Sequence, residues 1–404
     1  MTGTLPKQRG RAMVPDTGQR PAHPRPHPRR GWRARWPLWS ALAWSAGTVV
    51  LALAWANGVV PHPYDSLADR GWAGSVLTAA GPAAGTRVVL ALGLAGAACA
   101  VLALRGPSRP AARRAVLVWV WATAAVTSVL LVHGALLALL GYSLVAPVLG
   151  VFVPGMWSAY VATVATPGHA FVLHCVLGGL LWGWAALTRG REVRGACVSC
   201  GRGADWTPSR ERATRGRALR AGRVAVSVAA AGTLVYPALR LPWVVGLPVA
   251  MDASGWETLR AEPGMIAVGV GLGTAALCGV VLMLGLVRDW GVRFPRWMVG
   301  LAGRRVPVSL AALPAGVVAL GFTAQGRGAS MALLLGEVTT PVGEAWVHVA
   351  ALAALLPGGL ALGAATAAYV VRRRAACRDC GRGLPEQLPG AGVRTTSSPV
   401  PEAR

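Results

Sequence analysis

The sequence predicts an all-α, polytopic membrane protein: about eight transmembrane helices, built as two tandem four-helix repeats with parallel pseudo-twofold symmetry, and with both termini cytoplasmic. Three observations carry that expectation. Charge vanishes over long stretches; the 74 residues from Ala115 to Thr188 contain no Asp, Glu, Lys or Arg. Such runs suit helices in hydrocarbon, where every backbone polar group must be satisfied inside its own segment. Basic residues gather in short clusters between the apolar runs. Finally, the pattern "CVSCGRG" at 197–203 returns as "CRDCGRG" at 377–383, an offset of 180 residues.

Taken in order, the apolar segments with spanning length lie near 37–60, 88–104, 115–139, 168–187, 224–247, 265–287, 306–324 and 345–371. Each approaches the roughly 17–25 residues that a bilayer requires. The second is the shortest, and the fifth, seventh and eighth contain proline. With the N-terminus inside, the interior segments hold 35 of the 40 basic residues, while seven of the 15 acids fall in exterior loops. That asymmetry sets the orientation by the positive-inside rule. Between spans 3 and 4, "SLVAPVLGVFVPGMWSAYVA" (143–162) reads as an outer interfacial or re-entrant helix broken by Pro147 and Pro154, with a lesser counterpart in "MALLLGEV" (331–338). Residues 1–35 read as a disordered basic tail, 36–203 and 223–383 as the two repeats, 204–222 as a cytoplasmic basic linker, and 384–404 as a second disordered tail.

The formal charge of +25 and the pI near 11.6 raise the question of nucleic acid. A nucleic-acid domain would collect its cations on one folded surface; here they punctuate the apolar runs. The expected partners are therefore the bilayer and its anionic lipids at the cytoplasmic Arg clusters, with no nucleic acid; any protein partner is left open.

The repeat is longer than the cysteine pattern. Residues 178–203 align without gaps on 358–383, with 12 of 26 positions identical. Each block opens with Gly-Gly-x-x-x-Gly, at Gly178, Gly179 and Gly183 and at Gly358, Gly359 and Gly363. Small residues four apart let helices approach closely, so spans 4 and 8 are expected to meet along this face.

Each C-x-x-C-G resembles the zinc knuckle of zinc-ribbon proteins, in which two thiolates at this spacing grip one ion and the Gly permits the tight turn. Carried onto this chain, the resemblance implies a Zn²⁺ site of Cys197, Cys200, Cys377 and Cys380, tetrahedral and structural. The zinc ribbon keeps its knuckles within one small domain, whereas 176 residues separate Cys200 from Cys377 here. One shared zinc, one metal per knuckle with a partner chain, and unliganded or redox-active thiols all remain open from sequence. Arg194, Arg202, Arg374, Arg378 and Arg382 stand beside the cysteines and would offset thiolate charge.

Arg240, in "VYPALRLPW", is the one charged side chain the reading places within a span. Flanked by Pro237 and Pro242, it is a candidate anion or carboxylate site; the alternative is a cation that snorkels to the interface. His133, His174 and His348, with Glu344 one turn before the last, complete a candidate intramembrane polar site, and His169 sits near the outer face. Interfacial histidines without such a role are commoner. Trp36, Trp39, Trp182, Trp184, Trp297 and Trp346 read as interface anchors. No catalytic constellation, phosphate loop or dinucleotide fingerprint is present.

Through its Arg-rich interior loops and its "RLPW" and "CGRG" neighbourhoods, the chain resembles polytopic membrane proteins of high-GC Gram-positive bacteria, a resemblance that implies no particular activity. Two readings of function stand: a transporter- or channel-like protein with a cavity between the repeats, or a non-enzymatic scaffold or sensor with a cytoplasmic zinc clasp.

Overall fold

The computed structural model describes residues 29–67, 74–152, 154–261, 263–336 and 345–385. They are overwhelmingly helical, and among them no β-strand forms. The helices are α1 (Arg29–Ala56), α2 (Val76–Arg105), α3 (Pro110–Ala125), α4 (Ala135–Leu149), α5 (Met156–Val164), α6 (Pro167–Val193), α7 (Pro208–Arg240), α8 (Ala253–Ala261), α9 (Pro263–Gly285), α10 (Val308–Leu335), α11 (Ala345–Ala353) and α12 (Leu355–Arg373). Eight stretches of helix are long and apolar enough to cross a membrane, the last of them formed by α11 and α12 together.

Local chemistry places the boundaries. Ser75 caps α2 in a reciprocal box with Thr78, and Thr166 and Thr207 cap α6 and α7, each followed by Pro at the first helical position. These hydroxyls satisfy N–H groups the helix cannot. Gly106 and Gly336 close α2 and α10 in the left-handed conformation.

Several spans differ from their expected limits. The second is not short: α2 starts at Val76 and passes through a kink at Gly81, just before Pro82. The third ends early. A π-helical turn at Val126–Leu130 breaks it, and α4 begins at Ala135, so the segment expected to start at 143 starts eight residues sooner. At 15 residues, or about 22 Å of helical rise, α4 is too short to cross by itself. Helix α7 opens at Pro208, which makes residues 208–222 of the basic linker helical, and α1 already runs from Arg29. Helix α10 continues to Leu335 instead of stopping near 324, absorbing the start of "MALLLGEV". The remainder of that piece, 337–338, lies outside the described residues, as do Glu344 and most of both tails.

Helices α1, α2, α3 and α6 pack together around two apolar clusters. One is centred on Trp44, Val120 and Trp182. The other is centred on Val89, Phe171 and Val172 and also takes in Ala324 of α10. Helices α7, α9, α10 and α12 surround a third, with Phe322, Leu362 and Tyr369 at its centre. Trp182 thus lies fully buried against Gly96 and is no interface anchor, whereas Trp36, Trp39, Trp184, Trp297 and Trp346 are exposed as expected.

The glycine faces do not join α6 to α12. A Cβ on Gly178 would strike Trp44 of α1, and one on Gly179 would lie 2.6 Å from Ser128 Oγ in the π turn. On α12, Gly358 faces Ala229 and Gly232 of α7, and Gly359 faces Thr323 of α10. The close approach predicted for these glycines exists, but each pair spends it on helices of its own group. What brings α6 and α12 together is the segment that follows each of them.

Candidate metal centre

Helix α6 ends at Val193 and α12 at Arg373; each is followed within a few residues by a knuckle. In both knuckles the chain folds back on itself. The Cys197 N–H donates to the Arg202 carbonyl at 3.0 Å and Gly201 N–H to the Cys197 carbonyl at 2.7 Å. In the second, Cys377 N–H meets the Arg382 carbonyl and Gly381 N–H the Cys377 carbonyl, both at 2.9 Å. The turn requires positive φ, 73° at Gly201 and 70° at Gly381, a region that glycine enters without steric cost.

This geometry brings four sulfurs together. Cys197 Sγ lies 3.9 Å from Cys377 Sγ, and Cys200 Sγ lies 3.6 Å from Cys380 Sγ. All four fall within 4.8 Å of one another and form, among the described residues, a cluster able to hold a metal ion. The separations match the edges of a tetrahedron with about 2.3 Å metal–sulfur bonds, whose corners stand roughly 3.5–4 Å apart. A disulfide would bring a pair to about 2.05 Å.

The thiols need a cation if all are to ionise. Burial pushes the Cys200 thiol up and drives Cys380 up to about 12. Burial raises Cys197 too, but the backbone N–H groups of Cys200 and Ser199, with neighbouring thiols, outweigh it and bring that thiol below its ordinary value. One thiolate forms readily, and the sulfurs beside it then resist a second negative charge. A divalent ion at the centre removes that repulsion.

A buried ionic knot underpins the cluster. Arg202 and Glu211, each with a side chain 1% exposed, form a two-pronged pair at 2.8 and 3.0 Å. From the same guanidinium, Nη1 donates to the carbonyls of Ala375 and Arg382, so a side chain from the first knuckle holds the backbone of the second. Gly383 leaves the space for it; a Cβ there would lie 2.8 Å from Arg202 Cζ. Arg374 reaches both the Cys200 carbonyl and Glu211, and Arg215 donates to the carbonyls of Arg374, Leu384 and Pro385. Arg382 Nη1 returns to the Gly203 carbonyl at 2.7 Å, and Ser199 hydrogen-bonds Asp379.

Of the arginines expected to balance the thiolates, Arg202, Arg374 and Arg382 are therefore bound to backbone and to Glu211. Arg191, outside that set, also grips the first knuckle: its Nη1 donates to the carbonyls of Val198 and Ser199. Sequence reasoning missed Arg191, Glu211 and Arg215. Glu211 had a signal: it is a lone Glu amid the arginines of "SRERATRGR".

Of the described intramembrane candidates, Arg240 and His348 come near enough to interact electrostatically; the others keep separate partners. His174 stacks on Trp44 and its Nε2 meets the Thr48 hydroxyl at 2.9 Å. His133 is buried and its Nδ1 accepts from Ala135 N–H at the start of α4. His169 pairs with its capping Thr166, and His348 Nε2 meets the Ala250 carbonyl at 3.1 Å. Arg240 lies over aromatic faces, 4.2 Å from the Trp243 ring centre and 5.4 Å from that of Tyr236. Glu344 lies outside the described residues.

Nor is Arg240 the one charged side chain within a span. The longer α10 includes Arg327, whose guanidinium donates to the carbonyls of Leu130, Val132 and Gly74 at 3.2–3.4 Å. The π turn in α3 frees two of those oxygens, and Arg327 takes them up. Comparison with protein-family models, with curated proteins and with solved structures gives no match, so the functional reading rests on this geometry.

Proposed function

We propose that this chain is a membrane scaffold or sensor in which one Zn²⁺, held by Cys197, Cys200, Cys377 and Cys380 on the cytoplasmic side, ties two four-helix repeats together. The observation that carries it is the four sulfurs within 4.8 Å of one another, contributed by segments 180 residues apart. Zinc suits four thiolates in a closed tetrahedron, which leaves no open position for substrate. A clasp of this kind makes metal binding part of folding stability. In a reducing compartment the thiols stay available to metal, and the orientation that places them there follows from the clustering of Arg at the knuckle end.

Support for two repeats comes from matching neighbours: the double glycine of α6 lies between α1 and the end of α3, and that of α12 between α7 and α10. The transporter reading finds less support. Cavities of about 400 and 390 Å³ open beside one helix group each, lined by residues at the knuckle ends of their helices. Arg240, its best candidate ligand, rests on aromatic rings.

Metal analysis of protein purified without chelator tests the proposal. One zinc per chain is expected, lost both in Cys197→Ser/Cys200→Ser and in Cys377→Ser/Cys380→Ser. Two zinc per chain, or one retained after loss of either pair, sinks the shared site. A full complement of thiols blocked as disulfides would replace it with a redox pair.

A further inference from the structure

At the knuckle end of the molecule, the start of α1, the end of α2, the start of α3 and the last turns of α6 leave a cavity of about 400 Å³ between them. Arg35, Arg105, Arg113 and Arg189 line it, and Glu192 is the single acid among the lining residues. Glu192 is already engaged, 2.9 Å from Arg189 Nη1. Arg35, Arg105 and Arg113, all exposed, are left lining one space with no carboxylate for them among the lining residues. Like charges around one space repel, and an anion among them relieves that repulsion.

Two details mark the cavity as built for an anion. Arg113 is anchored through Nε to the Pro107 carbonyl at 2.8 Å, an arrangement that fixes its stem. Arg189 is only 14% exposed, and its Nε is buried with no hydrogen-bond partner. Arg215, Arg240, Arg327 and Arg374 also carry an Nε without a hydrogen-bond partner, but that of Arg189 belongs to a residue lining this cavity, where a bound anion would supply its acceptor. The rest of the wall is apolar: Leu38 and Ala103 are buried and Leu104 and Val193 lie beside them. Guanidinium forks match phosphate oxygens in geometry, and an apolar wall among membrane-spanning helices matches acyl chain.

We propose that this cavity binds the phosphate headgroup of an anionic membrane lipid, with Arg35, Arg105 and Arg113 on the phosphate oxygens, the Nε of Arg189 beside them, and the lipid's glycerol and first methylenes against Leu104 and Val193. Basic pockets between transmembrane helices on the cytoplasmic side recognise lipid phosphates in this way. The proposal goes beyond the zinc clasp and shares with it only the placement of this end at the cytoplasmic leaflet. A free phosphate offers the same oxygens without the acyl chain, so the test must separate the two.

Full-length protein in nonionic detergent is titrated with phosphatidylglycerol, cardiolipin, phosphatidylcholine, inorganic phosphate or pyrophosphate. Thermal midpoints and retained lipid by native mass spectrometry are read, with zinc content of each sample as a separate report on the clasp. Anionic lipid is expected to raise the midpoint and to persist as a one-to-one adduct, and Arg105→Gln/Arg113→Gln to weaken it by about tenfold or more. Arg212→Gln/Arg217→Gln, the same charge change at exposed positions on α7, is expected to bind like the parent. Equal losses in both double variants would reduce the effect to bulk charge and overturn the site. So would unchanged binding in Arg105→Gln/Arg113→Gln. Stabilisation by inorganic phosphate or pyrophosphate equal to that by lipid would make the site one for a soluble anion and end the lipid proposal.

Discussion

Cys200 Sγ and Cys380 Sγ stand 3.6 Å apart across 180 residues of chain. Neither knuckle positions the other through its cysteines alone, because Arg202 of the first is bonded to the backbone of the second at Ala375 and Arg382. The cluster is preorganised by that contact, so a metal ion bound there would close what the polypeptide has already aligned.

Metal binding should release protons. Cys200 and Cys380 are raised above the ordinary thiol range by burial and are protonated at neutral pH, the second up to about 12. A tetrathiolate needs both ionised, so at least two protons leave per zinc, and affinity climbs as pH rises. Metal-linked stability is therefore present at neutral pH and is lost as pH falls, because protons compete for sulfur. Calorimetry of zinc binding in buffers of different ionisation enthalpy measures the proton count. A count near zero would mean that the thiols are already ionised and the electrostatics described here are wrong.

Glu211 should matter more than any single arginine around it. It faces Arg202, Arg215 and Arg374 from a position 2% exposed. Removing one partner of a buried pair strands the other charges at a cost of about 3–5 kcal/mol, whereas replacing the pair by apolar groups is often neutral. Glu211→Gln is expected to lower the thermal midpoint strongly and to weaken zinc retention. Arg202→Met/Glu211→Leu should recover part of the midpoint, and a double variant worse than Glu211→Gln would contradict this reading.

The spans and the four cysteines were legible because hydrophobic length and the C-x-x-C-G spacing are local signals. The partners of these elements were not. Gly-Gly-x-x-x-Gly announces close packing, but nothing in it says that Gly359 meets Thr323 instead of α6. Arg327 fell outside the seventh span as expected at 306–324, and a cation in hydrocarbon is costly; its cost is met by carbonyls that a π turn exposes almost 200 residues earlier. Glu211 lay within a stretch expected as linker, and its burial follows from tertiary contacts with Arg202 and Arg374.

The two glycine faces yield a paired test. A Cβ on Gly359 would lie 2.5 Å from Thr323 N and 2.8 Å from the Ala319 carbonyl, both backbone atoms that cannot step aside. One on Gly183 meets nothing within 4 Å. Gly359→Ala should force α10 and α12 apart and cost about 1–3 kcal/mol as overpacking. Gly183→Ala should be neutral or should stabilise by up to about 1 kcal/mol, the helix propensity difference. Thermal midpoints in detergent decide it, and equal tolerance at both positions would show that the α10–α12 contact is looser than described.

Arg327 and the cysteine cluster fasten the same helix groups at opposite ends. The cysteines join the segments after α6 and α12, while Arg327 of α10 holds Leu130 and Val132 beyond the break in α3, and Gly74 ahead of α2. Each hydrogen bond to a charged donor contributes about 1.5–3 kcal/mol where the acceptor is otherwise unsatisfied, and the Leu130 and Val132 carbonyls lie where the helix ladder has been interrupted, while that of Gly74 also accepts from Gly134 N–H. Arg327→Ala should therefore lower the thermal midpoint and raise proteolysis around residues 126–135, and Arg327→Lys should restore only part, since one ammonium cannot replace the planar fork. Zinc content should stay at one per chain in both. Sites this far apart, with no shared partner, should act additively, so Arg327→Ala combined with Cys200→Ser is expected to lose the sum of the two single effects. A combined loss well below that sum would mean that the two fasteners report one unfolding event, opened by whichever end fails first.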